Sequence, residues 1–136
     1  MKKSLWLSCI LLVFVQSTFA KVLVAGVKDA AACSYATEPL TEDLKDIGFP
    51  KDWTIVVACD QLVWEKLQRK GDAFRTSTAF TNLAGHITVV NGAIYLQMFP
   101  LRGTRYSTPK EVLEHENGHI RCKCNDEGKA DKAAGL

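Results

Sequence analysis

The chain has no excess of either charge, no second long apolar run, no internal repeat and no low-complexity linker. Lysine and arginine number 17 against 15 aspartate and glutamate, and loss of a leader holding Lys2 and Lys3 would bring the balance to 15 against 15. A near-neutral chain lacks the basic surface that a nucleic-acid partner requires. Beyond the first 20 residues nothing is long and apolar enough to span a bilayer. Histidine is also scarce, with only His86, His115 and His119 present.

The N-terminus has the form of a bacterial secretory signal peptide. Lys2 and Lys3 precede an apolar run from Leu5 to Val15, and Ser17-Thr18-Phe19-Ala20 supplies small residues at a cleavage site after Ala20. The run is too short for a membrane helix, and Cys9 lies too early in it for lipidation. One mature domain, residues 21–136, is therefore expected, secreted or periplasmic, free of the membrane and monomeric. It keeps Cys33, Cys59, Cys122 and Cys124, an even number that in an exported domain points to disulfides. A Cys122–Cys124 bond would close a very tight ring. The expectation is one cross-link from each of these two to Cys33 and Cys59, in either order.

Taken in order, Lys21–Val27 reads as a short strand, Lys28–Pro39 as a loop around Cys33, and Thr41–Ile47 as a helix stopped by Gly48 and Pro50. Thr54–Cys59 is a continuous β-branched run, suited to a buried strand. Asp60 can cap a helix over Gln61–Arg69, with Leu62, Val63, Trp64 and Leu67 facing the core. Ala73–Asn82 reads as a strand. Asn91-Gly92 between His86–Val90 and Ala93–Met98 is the sequence signal of a type I′ hairpin. Pro100–Ser107 is a loop, and Asp126–Ala134 can form a last short helix. The fold class predicted is α+β, with a mixed sheet, a hairpin and a backing helix.

Thr108–His119 carries the chemistry. Thr108 and Glu111 form a capping box, and Pro109 takes the first helical position, so the segment reads as a helix on these signals alone. Within it stands His115-Glu116-Asn117-Gly118-His119. Residues four apart share a helix face, with Cβ atoms about 5–6 Å apart, so both imidazoles can reach one tetrahedral zinc ion. Glu116 projects beside that ion, placed to act as general base and then acid on a zinc-activated water.

The His-Glu-x-x-His helix, preceded by a helix, a sheet and a hairpin strand, resembles the zincin metallopeptidases. The resemblance covers roughly the last two-thirds of the chain, and its specific part lies within Thr108–Asp131. It implies that Ala93–Met98 forms the edge of the cleft, where an extended peptide adds as a strand. In the gluzincin group a Glu-x-x-x-Asp stretch supplies the third ligand, and Glu127-Gly128-Lys129-Ala130-Asp131 matches it. That likeness implies Glu127 as zinc ligand, with Asp126 as the alternative, and Asp131 as the partner of His115's outer nitrogen. Tyr106 is the candidate donor to a tetrahedral oxyanion, ahead of Tyr95. His86 is read as a packing or surface residue, and Trp53 and Trp64 as core.

The function expected is an exported zinc peptidase acting on peptide or protein substrates. The alternative is a disulfide-stapled secreted binding module with a degenerate zinc site. Hydrolysis of a non-peptide amide is a third option.

Overall fold

The computed structural model describes residues 20–73, 76–100 and 105–136. The expected leader lies outside these, apart from Ala20, as do parts of the expected Ala73–Asn82 strand and Pro100–Ser107 loop. The chain is α+β. Strands β1 (Lys21–Ala25), β2 (Thr54–Ala58), β3 (Ala79–Asn82) and β4 (Ile87–Asn91) form one sheet in the order β1-β2-β4-β3. The first two pairings are parallel and the last antiparallel. Helices are α1 (Ser34–Leu44), α2 (Gln61–Lys70), α3 (Pro109–Cys122) and α4 (Glu127–Ala134). Among the described residues no helix is long and apolar enough to cross a membrane.

Strand alternation divides the core into two layers. Ile55, Val57 and Val90 face a cluster with Leu40 and Leu44 of α1 and Val112 and Leu113 of α3. Val56, Val89, Phe80 and Ile87 face Trp64 and Leu67 of α2. α2 is capped as expected, with Asp60 accepting from the Val63 amide at 3.1 Å. Its stripe is narrower than the pattern suggests. Trp64 is fully buried, while Leu62 is 67% exposed and points to water.

Three readings are corrected. The first concerns α1, which begins at Ser34, seven residues before the expected cap, and runs through Pro39. A proline inside a helix costs about 3 kcal/mol. Buried Ala36, Leu40 and Leu44 share one face at a four-residue spacing and offset it, each leucine contributing roughly 1.5–3 kcal/mol. The second concerns Asn91-Gly92, which makes no hairpin turn. β4 is already paired on both sides, by β2 and β3, so no edge remains for Ala93–Met98. Instead Asn91 Oδ1 accepts from the Ala93 amide at 3.1 Å and caps a 3-10 segment, Gly92–Leu96. The hairpin of the fold is β3–β4. Its connection is held by Asn82 Oδ1, which accepts from the Gly85 amide at 2.9 Å, and by His86 with φ of +52°.

The third correction is the disulfide pattern. Cys33 bonds Cys59, and Cys122 bonds Cys124. The first pair ties the start of α1 to the end of β2. The second is reachable because Lys123, the C-cap of α3, takes the left-handed conformation (φ 52°, ψ 44°). That bend brings the two cysteine Cα atoms to 5.2 Å, inside the usual disulfide range of about 4.4–6.8 Å.

Candidate metal centre

α3 starts where its capping signals place it. Thr108 Oγ1 accepts from the Glu111 amide at 3.2 Å, and Glu111 reaches back to the Ser107 amide at 2.6 Å. It ends at Lys123, where the Cys124 amide donates to the His119 carbonyl at 3.2 Å. The chain turns back through the Cys-Lys-Cys bend into α4, which Asp126 caps by accepting from the Lys129 amide at 2.8 Å. Asp126 is thereby committed to the helix start and is not part of the ligand cluster.

Gly118 allows α3 and α4 to cross closely. A Cβ built there would overlap the Ala130 carbonyl, with the Ala130 carbonyl carbon at 2.7 Å. The crossing sets α4's Glu127 and Asp131 against α3's His115 and His119. His115 Nδ1 lies 2.6 Å from Asp131 Oδ1, and His119 Nδ1 lies 2.9 Å from the Cys124 carbonyl oxygen. Both partners only accept, so each Nδ1 carries the proton and donates it. When neutral, each ring then presents an unprotonated Nε2.

These two Nε2 atoms are 3.1 Å apart, and Glu127 lies 2.8 Å from that of His115 and 3.4 Å from that of His119. When both rings are neutral, lone pairs and a carboxylate facing one another at such distances repel unless a cation lies among them. His115, His119 and Glu127 offer ligand atoms all within 4.8 Å of one another, and the group can hold a metal ion. Burial lowers the pKa of His115 and neighbouring His119 lowers it further, against the opposing pull of Glu127. The ring is therefore neutral, in the form that ligates. Both histidines are buried, whereas Glu127 is 72% exposed on its side chain and opens the site to solvent.

Glu116 is buried beside the pair, with Oε2 accepting from Thr81 Oγ1 of β3 at 2.7 Å. Burial pushes its carboxyl up to about 8; the Thr81 hydrogen bond opposes the rise and Glu127 adds to it. A cation bound to the histidines would favour the charged form and draw the value back down. Tyr106 lies over His115, ring centroids 5.6 Å apart. Its hydroxyl pKa is raised, first by burial and then by Glu116, so it stays a proton donor. Tyr95 points elsewhere and donates to Asp43 Oδ2 of α1 at 3.0 Å. His86 stacks on Trp53 and lies 2.9 Å from Asp52, away from the cluster.

The sequence did not single out Thr81 or Arg105. Arg105 forms an ion pair with Asp131 Oδ2, the oxygen turned away from His115. Thr81 sits in a Thr-rich strand whose alternation hints at a polar position on the inner face. No local signal marks Arg105, whose partner lies on another helix. No family model, curated protein or solved structure matches the chain.

Proposed function

We propose that the chain is an exported zinc-dependent metallopeptidase that hydrolyses peptide bonds and resembles a minimal gluzincin. The observation that carries this reading is the convergence of two imidazole Nε2 atoms and the Glu127 carboxylate, with the buried Glu116 carboxyl next to His115 in the same helix turn. Two imidazoles and one carboxylate form the donor set that suits a catalytic zinc ion. His115, His119 and Glu127 would hold the zinc ion, which would supply a Lewis acid and a lowered pKa for its water.

The protein's residues perform the remaining tasks. Asp131 and the Cys124 carbonyl fix the ring tautomers and aim both Nε2 atoms. Glu116 takes a proton from the attacking water and returns it to the leaving amine nitrogen. Tyr106 offers its hydroxyl to the oxyanion that forms on the substrate carbonyl. The cleft edge suggested by the resemblance passes from Ala93–Met98 to β3, which lies at the sheet edge and packs on α3. An extended peptide can pair with that open edge. Export is supported by the leader-like first 20 residues and by the two disulfides.

The test is Glu116→Gln in the zinc-loaded, oxidised protein, assayed on a panel of internally quenched peptides. The variant should keep its zinc and lose about a hundredfold or more in kcat, the usual weight of a general base. A wild type that binds zinc and cleaves no peptide in the panel leaves the binding module as the better account. A variant as active as the wild type removes Glu116 from the chemistry.

A further inference from the structure

Behind Glu116 a line of hydrogen bonds crosses the sheet. Trp53 Nε1 donates to Thr88 Oγ1 at 3.0 Å. Thr88 Oγ1 lies 2.9 Å from Thr81 Oγ1, and Thr81 donates to Glu116 Oε2 at 2.7 Å. The strand register builds the middle of this line. Thr81 of β3 stands directly opposite Thr88 of β4, so both hydroxyls share the face that meets α3. Thr88 in turn lies across from Ile55 of β2, and Trp53 immediately precedes that strand. Thr88 is fully buried, and Trp53 and Glu116 are each 4% exposed.

The indole sets the direction at one end of the line, and an ionised Glu116 sets the same direction at the other. An indole N–H can only donate, so Thr88 accepts from Trp53 and keeps its own proton to give. A cation bound to the histidines favours the ionised form of Glu116, and an ionised carboxylate can only accept, so Thr81 then spends its proton on Glu116 and accepts from Thr88. In that state every hydroxyl proton points towards the carboxylate, and each bond strengthens the next. A buried Thr–Thr pair that served packing alone would not need a carboxylate at one end and an indole donor at the other.

We infer that Trp53, Thr88 and Thr81 form a directed relay that positions Glu116, pinning Oε2 and leaving Oε1 to face the reacting water. The inference rests on the proposal that Glu116 is the general base. Thr81 is the contact residue, while Thr88 and Trp53 act through it. With the donor gone, the carboxylate is free to rotate about its terminal torsions, and displacements of about 1 Å can cost about a hundredfold in rate. None of the three residues lies in the His115, His119 and Glu127 cluster, so zinc binding should be indifferent to them.

The experiment uses the zinc-loaded, disulfide-intact protein and one quenched peptide that the wild type cleaves. Thr81→Val keeps the shape and removes the hydroxyl, while Thr81→Ser keeps the donor. Thr81→Val should lower kcat about ten- to a hundredfold at nearly constant KM and unchanged zinc content. Thr81→Ser should return most of the rate, and Thr88→Val should show a smaller loss of the same kind. A Thr81→Val protein with wild-type kcat, or a Thr81→Ser protein as slow as Thr81→Val, overturns the inference. A second readout stands apart from activity, namely the side-chain carboxyl carbon resonance of Glu116 in the metal-free protein at one fixed pH well above about 8, where the carboxylate is ionised. It should be single and sharp in the wild type and Thr81→Ser, and moved or broadened in Thr81→Val. If the wild type proves inactive on every peptide, that resonance decides alone. Its displacement in Thr81→Val upholds the anchoring of Glu116, and an unmoved resonance refutes it.

Discussion

Gly118→Ala sets two physical effects against each other. Alanine is favoured over glycine in a helix interior by about 1 kcal/mol, so propensity alone predicts a more stable protein. The α3–α4 crossing predicts the reverse. The new Cβ would meet the Ala130 carbonyl group, with the carbonyl carbon at 2.7 Å and Ala130 Cα at 3.2 Å. These are backbone atoms, and no rotamer change relieves them. Restoring ordinary carbon–carbon separations of about 3.5–4.0 Å moves α4 outward by roughly 1 Å. Glu127 and Asp131 travel with α4, while His115 and His119 stay with α3. A displacement of that size exceeds the tolerance of about 0.2 Å on metal–ligand distances and breaks the 2.6 Å contact of His115 with Asp131. Overpacking of this kind costs about 1–3 kcal/mol, and disturbing a ligand together with its partner should weaken zinc binding by about a hundredfold or more. Chelator competition gives the affinity and urea unfolding the stability. A Gly118→Ala protein that binds zinc as the wild type does and unfolds at higher urea would refute the reasoning, leaving Gly118 a helix position like any other.

Other outcomes follow from the same geometry. Asp131→Asn weakens the acceptor of His115 Nδ1 and the ion pair with Arg105, and should lower zinc affinity about ten- to a hundredfold with the fold retained, read by chelator competition. Replacing both Cys33 and Cys59 by serine opens a loop with a sequence separation of 26 and should cost about 3–4 kcal/mol in urea unfolding. Zinc stoichiometry should not change, because that disulfide lies outside the metal cluster. In the metal-free protein the stability that Glu116 contributes should fall as pH rises, while the lowered His115 pKa acts in the opposite sense. With the Glu116 carboxyl pushed up to about 8 in the folded state, against an ordinary value of 4.5, the unfolded chain releases its proton first. The contribution is full below an ordinary carboxyl pKa, is lost through the window up to about pH 8, and is flat above it, amounting to roughly 3–5 kcal/mol. Glu116→Gln should flatten that profile and be the more stable protein at pH 8. A wild-type profile parallel to that of Glu116→Gln between pH 5 and 8 would contradict the burial argument.

The parts of the fold and site that were legible in the sequence are those written in local chemistry. Thr108, Pro109 and Glu111 mark the start of α3 because capping acts within one turn, and Asp60 marks α2 for the same reason. The gluzincin likeness implied Glu127 and Asp131 as neighbours of His115, and both lie beside it, since four residues along a helix return to the same face. What escaped depends on partners distant in sequence. Asn91-Gly92 carries a hairpin signal, but β2 and β3 had already taken both edges of β4. The Cys122–Cys124 pairing turned on the left-handed backbone at Lys123, for which a lysine gives no warning. Pro39 suggested a boundary, but burial of Leu40 and Leu44 outweighed its cost. Thr81 and Arg105 reach Glu116 and Asp131 across 35 and 26 residues, beyond any periodicity a single sequence displays.

The most direct test of the central claim is the zinc content of the oxidised protein purified from a periplasm, measured beside His119→Ala. About one zinc per chain in the wild type, lost in the variant, is the result expected if the two Nε2 atoms and Glu127 surround a metal ion. A wild type that carries no zinc, and takes up none on dialysis while both disulfides and the fold are intact, would contradict the account.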